Sequence, residues 1–436
     1  MCIERSLASY TYKSNEENKV GSWRYVEPFF NEKIAPCVFN CPVKQDINGI
    51  YTHLKINTSN DEVTGSELRT KALRTIFQFM VDKNPLLYAT SSVCPAFCQQ
   101  QCNRGYVDEA LRIRETEKVI AIENIDVSLP VPDKNNSLNK RVAIIGGGPA
   151  GLSAAYQLAR VNVTVEIFER EEQCGGLLTY GIPESRLDRT PLNQEISRII
   201  NSYDSISVNA GEEIDATKIN KLQNDFDYTI IATGQPSPIT IDNNDVLYGL
   251  DILWNYHKQI YTFPKNKKIA VLGSGNTAMD VAALAIEEGN KATIVCRESY
   301  ENMTAHTLEI QHVESKGVEF YTDAEFIFFE KKSRSLTVKK NNQEEVLPFD
   351  EVIICYGQMN DSLSEIFASN EKVYIINKIG NPANSVAEAI EAGYRVANNI
   401  LHKHGISLHL SEQKETVTKE MINIDYWKDH ISQSFD

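Results

Sequence analysis

Arg141-Val-Ala-Ile-Ile-Gly146-Gly147-Gly148-Pro149-Ala150-Gly151 is the stretch that decides the architecture of this chain. Its apolar residues read as a buried strand, the pattern Gly-x-Gly-x-x-Gly follows at once, and the run Leu152 to Ala159 continues as a helix. Gly146 permits the tight turn, Gly148 lets the backbone approach a pyrophosphate, and Gly151 lets the helix lie close to the strand. The neighbouring strand, Val163-Thr-Val-Glu-Ile-Phe-Glu169, ends in an acid where a ribose hydroxyl needs an acceptor. A lone glycine pattern is weak, and a merely structural turn is the alternative; strand, helix and acid at the right spacing favour an adenine dinucleotide site.

Further along, Lys268-Ile-Ala-Val-Leu-Gly273-Ser274-Gly275-Asn276-Thr277-Ala278-Met279-Asp280 repeats the signature, with Ala278 in place of the last glycine. The strand after it, Lys291-Ala-Thr-Ile-Val-Cys296, runs into Arg297 and Glu298. An arginine there favours a ribose 2′-phosphate and a glutamate a free 2′-hydroxyl, so the choice of nicotinamide dinucleotide stays open. A second unit of this kind that has lost its ligand is the alternative, against which the intact loop counts.

At 436 residues and 42% hydrophobic content the chain can bury a large core and divides into about three domains. A net charge of −15 repels nucleic acid and anionic membranes. No apolar run approaches a membrane span, and Met1 to Tyr10 lacks the order of a signal peptide, so a soluble, cytoplasmic protein is expected. Nine cysteines, an odd number clustered toward one end, suggest metal ligation rather than a disulfide framework.

The fold class expected is α/β: a helical N-terminal iron–sulfur domain over 1–132, followed by two Rossmann-like units, the second inserted in the first. Asp46 to Ile56 and Glu67 to Val81 carry helical spacing, and the Pro/Asn-rich stretch 131–139 marks a linker. One unit then covers 139–245 plus 350–402, including the strand that ends at Thr233-Gly234. The other covers 246–349, before the strand ending at Cys355-Tyr356-Gly357, and 403–436 is a polar tail.

Cys37-Val-Phe-Asn-Cys41-Pro42 and Cys94-Pro-Ala-Phe-Cys98-Gln-Gln-Gln-Cys102 are not spaced like zinc pairs. Thiols beside prolines in a chain that binds redox dinucleotides fit an iron–sulfur cluster better. The plainer alternative is that Cys94, Cys98 and Cys102, four residues apart, form the buried stripe of a single helix.

The segment Cys174-Gly175-Gly176-Leu177-Leu178-Thr-Tyr180-Gly181-Ile182-Pro183-Glu-Ser-Arg186-Leu187, with Gly273 to Asp280 and Val93 to Cys102, resembles the small subunit of bacterial glutamate synthase and its relatives, among them the N-terminal half of dihydropyrimidine dehydrogenase. The resemblance covers about residues 20 to 400 and implies FAD in the first unit, NAD(P)H in the second and 4Fe-4S chemistry at the cysteines. Flavin contacts are then expected from Gly146, Gly148, Pro149, Ala150, Gly151, Glu169, Gly176, Leu177, Arg186, Thr233, Gly234, Gly357 and Lys378. Nicotinamide dinucleotide contacts are expected from Gly273, Gly275, Asn276, Thr277, Ala278, Arg297 and Glu298. The family's second cluster maps onto Cys41, Cys94, Cys98 and Glu117, with Cys37 and Cys102 left over or substituting.

Three departures temper the resemblance. Glu27 to Pro36 lacks the pair of cysteines that larger relatives place there, which points to one cluster rather than two. Arg297-Glu298 replaces a basic pair, and Asn377-Lys378 replaces a Gly-Asp before the last flavin-binding helix. No acid–base residue is required for hydride transfer, so His257, His306 and His312 are expected to be surface or core residues, and the second unit has no C-x-x-C dithiol. The reading is an electron-input subunit feeding a large catalytic partner; a stand-alone NAD(P)H-flavin reductase and a non-catalytic assembly protein are the alternatives.

Overall fold

Two parallel sheets carry the two glycine signatures. The structure, a computed structural model, describes residues 35–58, 66–132, 137–359, 363–367, 371–376 and 385–406. The first sheet runs in the order Val373–Ile375, Tyr228–Ile231, Arg141–Ile145, Thr164–Glu169, Ile206–Ala210, all parallel. The second runs Leu247–Tyr248, Glu351–Ile354, Lys268–Leu272, Lys291–Val295, Glu319–Tyr321, also all parallel. In each, the strand before the glycine loop is central and buries every residue but its first, as a parallel strand covered on both faces must. All strands of the second sheet fall in sequence between Tyr228–Ile231 and Val373–Ile375.

The helices that follow the glycine loops, Pro149–Ala159 and Asn276–Glu287, pack on their own sheets. Val386–His402 lies directly on Pro149–Ala159: a Cβ at Gly393 would stand 2.1 Å from the Ala150 carbonyl oxygen, so only glycine allows the approach. Ser385 caps this helix, its hydroxyl accepting from the Glu388 N–H at 3.3 Å and donating to the Glu388 carboxylate at 2.8 Å.

The N-terminal helices Ile47–Thr58, Ser66–Val81, Leu87–Val93 and Ile113–Glu123 keep a small cluster of their own around Ile47, Cys98 and Ile113 and otherwise join the core of the first unit. Phe77, Met80 and Leu86 share one apolar cluster with Leu152, Tyr156 and Val396 of the first unit. Buried polar contacts fix the same junction. The Glu195 carboxylate accepts from the N–H groups of Tyr88 (2.7 Å) and Ala89 (3.0 Å), the open end of Leu87–Val93, and Arg160 pairs with Asp82 at 3.0 Å. Burial pushes the Glu195 carboxyl up to about 7 against the opposing pull of Arg198.

The second unit has its own core around Val271, Ala282, Ile294 and Ile353. Its other face is closed by an antiparallel sheet of Ala324–Glu330, Ser335–Lys340 and Gln343–Pro348, which packs Phe329, Leu336 and Val338 on Ala270 and Leu272. Among the described residues no helix is long and apolar enough to cross a membrane.

Candidate functional site

Both glycine loops open into one cleft of about 830 Å³, which also reaches Val93 and Pro95 beside the cysteines. In the first loop Gly146 has φ +105°, and a Cβ there would meet the Ala232 carbonyl oxygen at 2.5 Å, so the turn requires glycine. Gly148 is open instead: its Cβ would have only the Gly176 Cα, 4.0 Å away, for company, leaving backbone exposed for a phosphate. Gly176 and Leu177 lie over the loop and line the cleft.

Glu169, at the end of its strand, is buried and accepts from the N–H groups of Gly147 (2.7 Å) and Glu171 (2.9 Å). Burial raises its carboxyl above the ordinary range while these two bonds oppose the rise. A carboxylate has about four acceptor sites, so a ribose hydroxyl still finds room on it. Across the loop the buried Thr233 hydroxyl oxygen makes no hydrogen bond among the described residues, although it lines the cleft.

The second loop repeats this geometry. Gly273 has φ +136°, and its Cβ would stand 2.4 Å from the Cys355 carbonyl oxygen. Gly275 is open, with Thr304 Oγ1 at 3.6 Å as its nearest would-be neighbour. Residues 304–306 brace the loop: the Ala305 N–H donates to the Ser274 carbonyl at 2.7 Å and the His306 N–H to Asn276 Oδ1 at 3.0 Å. Asn276, Thr277 and Gly357 line the cleft, and Ala278 is fully buried at the helix–strand contact. Arg297 and Glu298 pair with each other at 2.9 Å and lie outside the cleft lining. Despite partial burial, the Arg297 guanidinium and the Ser274 hydroxyl hold the Glu298 carboxyl below its usual range.

The cysteines do not form one helical stripe. Cys94 ends the helix Leu87–Val93, Pro95 prevents its continuation, and Ala96 turns left-handed at φ 61° before the short helix Phe97–Gln100 places Cys98. Cys102 lies beyond it. Cys94 and Cys98 thereby come into electrostatic range of Cys41 and Glu117, while Cys37 lies within range of Cys102 and Asp46. Burial pushes the Cys41 thiol up to about 11 and raises Cys94 and Cys98, with Glu117 adding to each. Glu117 is half-buried, and burial, helped by Glu115, pushes its carboxyl up to about 8. Among the described residues no group of three or more His, Cys, Asp or Glu is placed to hold a single metal ion.

Arg186 lines the cleft but turns its guanidinium onto the second unit, pairing with Asp280 and with Glu309 at 2.6 Å. Asp280 stands inside the quoted signature, yet its partner is invisible in sequence. His306, expected as a surface or core residue, lines the cleft, and its ring meets Phe97 edge-to-face at 5.9 Å. Burial lowers its pKa; His257, 3.4 Å from Arg189, is lowered to about 4 for the same reason. Trp254 also lines the cleft, stacked on Tyr180 at 5.0 Å. Lys378, residues 27–34 of the stretch expected to lack cysteine ligands, and the tail beyond 406 lie outside the described residues.

The family model described as pyridine nucleotide-disulphide oxidoreductase matches residues 140–373. YgfK of Escherichia coli O157:H7 is 35% identical over 296 residues, covering 66% of this chain and 27% of that protein. The small chain of NADPH glutamate synthase from Bacillus subtilis strain 168 is 29% identical over 269 residues, 58% of this chain and 54% of the relative. The chain thus spans about a quarter of the first and about half of the second. Mycobacterium tuberculosis FprA in complex with NADPH shares the fold at a TM-score of 0.52 and 13% identity, over 62% of this chain and 86% of that one.

Proposed function

From the premise that the chain belongs to the pyridine nucleotide-disulphide oxidoreductase family and has a glutamate synthase small chain among its relatives, we propose that it oxidises NAD(P)H with FAD and passes the electrons through a 4Fe-4S cluster to a large partner subunit. The observation that carries this reading is the single cleft onto which both glycine loops open and which extends to the cysteine segment. A donor dinucleotide, an acceptor flavin and a cluster would then lie in contact in the order that electron flow needs.

The residues present fit FAD. The open Gly148 backbone at the start of Pro149–Ala159 suits a pyrophosphate, Glu169 a ribose hydroxyl, and the orphaned Thr233 hydroxyl a polar group of the cofactor. Gly176 and Leu177 would cover it. Gly273 to Ala278 would hold the nicotinamide dinucleotide, with Glu298 favouring NADH at least as well as NADPH. FAD, when bound, supplies the conversion of a two-electron donor into single electrons.

Cys41, Cys94, Cys98 and Glu117 are the proposed cluster ligands, with Cys37 and Cys102 beside them. The buried Cys98, the half-buried Cys41 and Cys94 and the half-buried Glu117, whose charge raises all three thiols, need a positive centre before they can ionise together, and a four-iron core spreads its ligands more widely than one ion does. In this reading 1–132 is the cluster domain, 139–245 with 350–402 the flavin domain, and 246–349 the nicotinamide dinucleotide domain.

The test is anaerobic purification with FAD. Flavin absorbance that bleaches on adding NADH, together with iron and a co-purifying large subunit, supports the reading. Failure to bind FAD at micromolar concentration would sink it. Flavin reduction without any partner in a pull-down would leave the stand-alone reductase.

A further inference from the structure

We propose that Arg186 is a positioning residue that fixes the second glycine loop against the first, acting through Asp280 and Glu309; this rests on the two-dinucleotide reading above. Arg186 belongs to the segment that covers the first loop, and its two terminal nitrogens both leave that unit. Nη1 donates to Asp280 and Nη2 to Glu309 Oε1 at 2.6 Å. The three side chains are only 11%, 8% and 11% exposed, so water screens the pairs little.

Both carboxylates are tied to the second loop. Asp280 stands one turn into Asn276–Glu287, the helix that the loop starts. Glu309 lies in the first turn of Thr307–Ser315, whose cap residue His306 donates its backbone N–H to the Asn276 side chain at 3.0 Å. One guanidinium therefore grips the loop's helix and the loop's brace together. The planar fork holds a separate nitrogen at a fixed angle to each carboxylate, whereas an ammonium in its place is a point charge on a shorter, flexible stem.

A second seam joins the units elsewhere and does not depend on Arg186. Glu171 accepts from Trp254 Nε1 at 3.0 Å and from Lys258 Nζ at 2.8 Å, while Tyr180 stacks on Trp254. Cutting the Arg186 grip should consequently leave the units docked and misplace only the loop. Hydride transfer is sensitive to such a shift, since about 1 Å of misplacement can cost on the order of a hundredfold.

The experiment uses Asp280→Asn, Glu309→Gln and Arg186→Lys in the full chain. In cofactor-free protein, amide hydrogen exchange across Asn276–Glu287 and Thr307–Ser315 should speed up in all three variants while Pro149–Ala159 keeps its protection. In FAD-loaded protein, the rate of flavin bleaching at saturating NADH should fall by about tenfold or more, with KM for NADH and Kd for FAD moving by less than about threefold in the two carboxylate variants. Unchanged exchange in all three overturns the proposal. So does a rate loss confined to Asp280→Asn, which would make Asp280 a direct participant. If the unsubstituted protein binds no FAD, the functional reading fails, and the exchange data still decide the role of Arg186.

Discussion

Gly146 and Gly273 occupy equivalent places in the two units. Each has positive φ, each N–H donates to the last residues of the adjacent strand, Phe168 or Val295, and each would drive a Cβ into a carbonyl, of Ala232 or Cys355. Beyond the turn the loops diverge. A Cβ at Gly151 would stand 2.0 Å from the Gly146 carbonyl oxygen, whereas Ala278 is accommodated at the same step. At the strand ends, Glu169 turns inward onto its own loop, and Arg297 and Glu298 pair with each other near solvent. The turn is dictated by backbone sterics common to both units, and in the proposed reading discrimination between dinucleotides would be left to the strand end. The surroundings differ too, since the first unit shares its core with the N-terminal helices and the second stands on its own.

The largest effects should come from breaking the turns. Gly146→Ala and Gly273→Ala each force a side chain into a positive φ and against a carbonyl, at a cost of about 3 kcal/mol or more. Gly146→Ala is expected to melt the first unit together with the N-terminal helices. Gly273→Ala should instead split thermal unfolding into two steps and spare FAD binding; loss of FAD in that variant would show that the two cores are not independent.

Next in size, Cys98→Ala should remove the cluster and leave the flavin, with the unsubstituted protein holding one cluster's worth of iron rather than two. Iron analysis beside the flavin spectrum checks both. A flavin lost with the iron would place the cysteine segment in the FAD site itself.

Gly275→Ala fills the open side of the second loop without touching the core. Weaker NADH binding by about tenfold, or ~1.4 kcal/mol, with an unaltered melting temperature is expected, measured by titration. Gly148→Ala should do the same to FAD alone.

The smallest change tests the strand end. Glu298→Arg should raise the NADPH-to-NADH ratio of kcat/KM by up to about tenfold, because a like charge facing a 2′-phosphate costs on the order of 1 kcal/mol. A strong NADPH preference in the unsubstituted protein would remove Glu298 from that role.

What the sequence disclosed was local. Gly146, Gly148, Gly273 and Gly275 announce themselves because a tight turn and a close backbone approach each demand a residue without a side chain, at fixed offsets from an apolar strand. Contacts across the chain left no such trace. Arg186 meets Asp280 and Glu309 at separations of 94 and 123 residues, and no short-range pattern encodes either pairing. Glu195, which seats the helix Leu87–Val93 from 107 residues away, is equally silent. The helical stripe of Cys94, Cys98 and Cys102 was suggested by spacing alone, and Pro95 with a left-handed Ala96 overrides that spacing.

The position of Val386–His402 on Pro149–Ala159 bears on how the chain is made. Every strand of the second sheet lies between Leu247 and Ile354, so that unit can gain its native shape while it is still leaving the ribosome. The first sheet cannot, because its edge strand Val373–Ile375 and the helix whose Gly393 seats against Ala150 follow the whole second sheet in the chain. Until then the apolar faces of Leu152, Ala155 and Tyr156 have no cover from that side. Translation thus runs through a stage at which the later nucleotide fold is finished and the earlier one is waiting, which is when a chaperone would have something to hold.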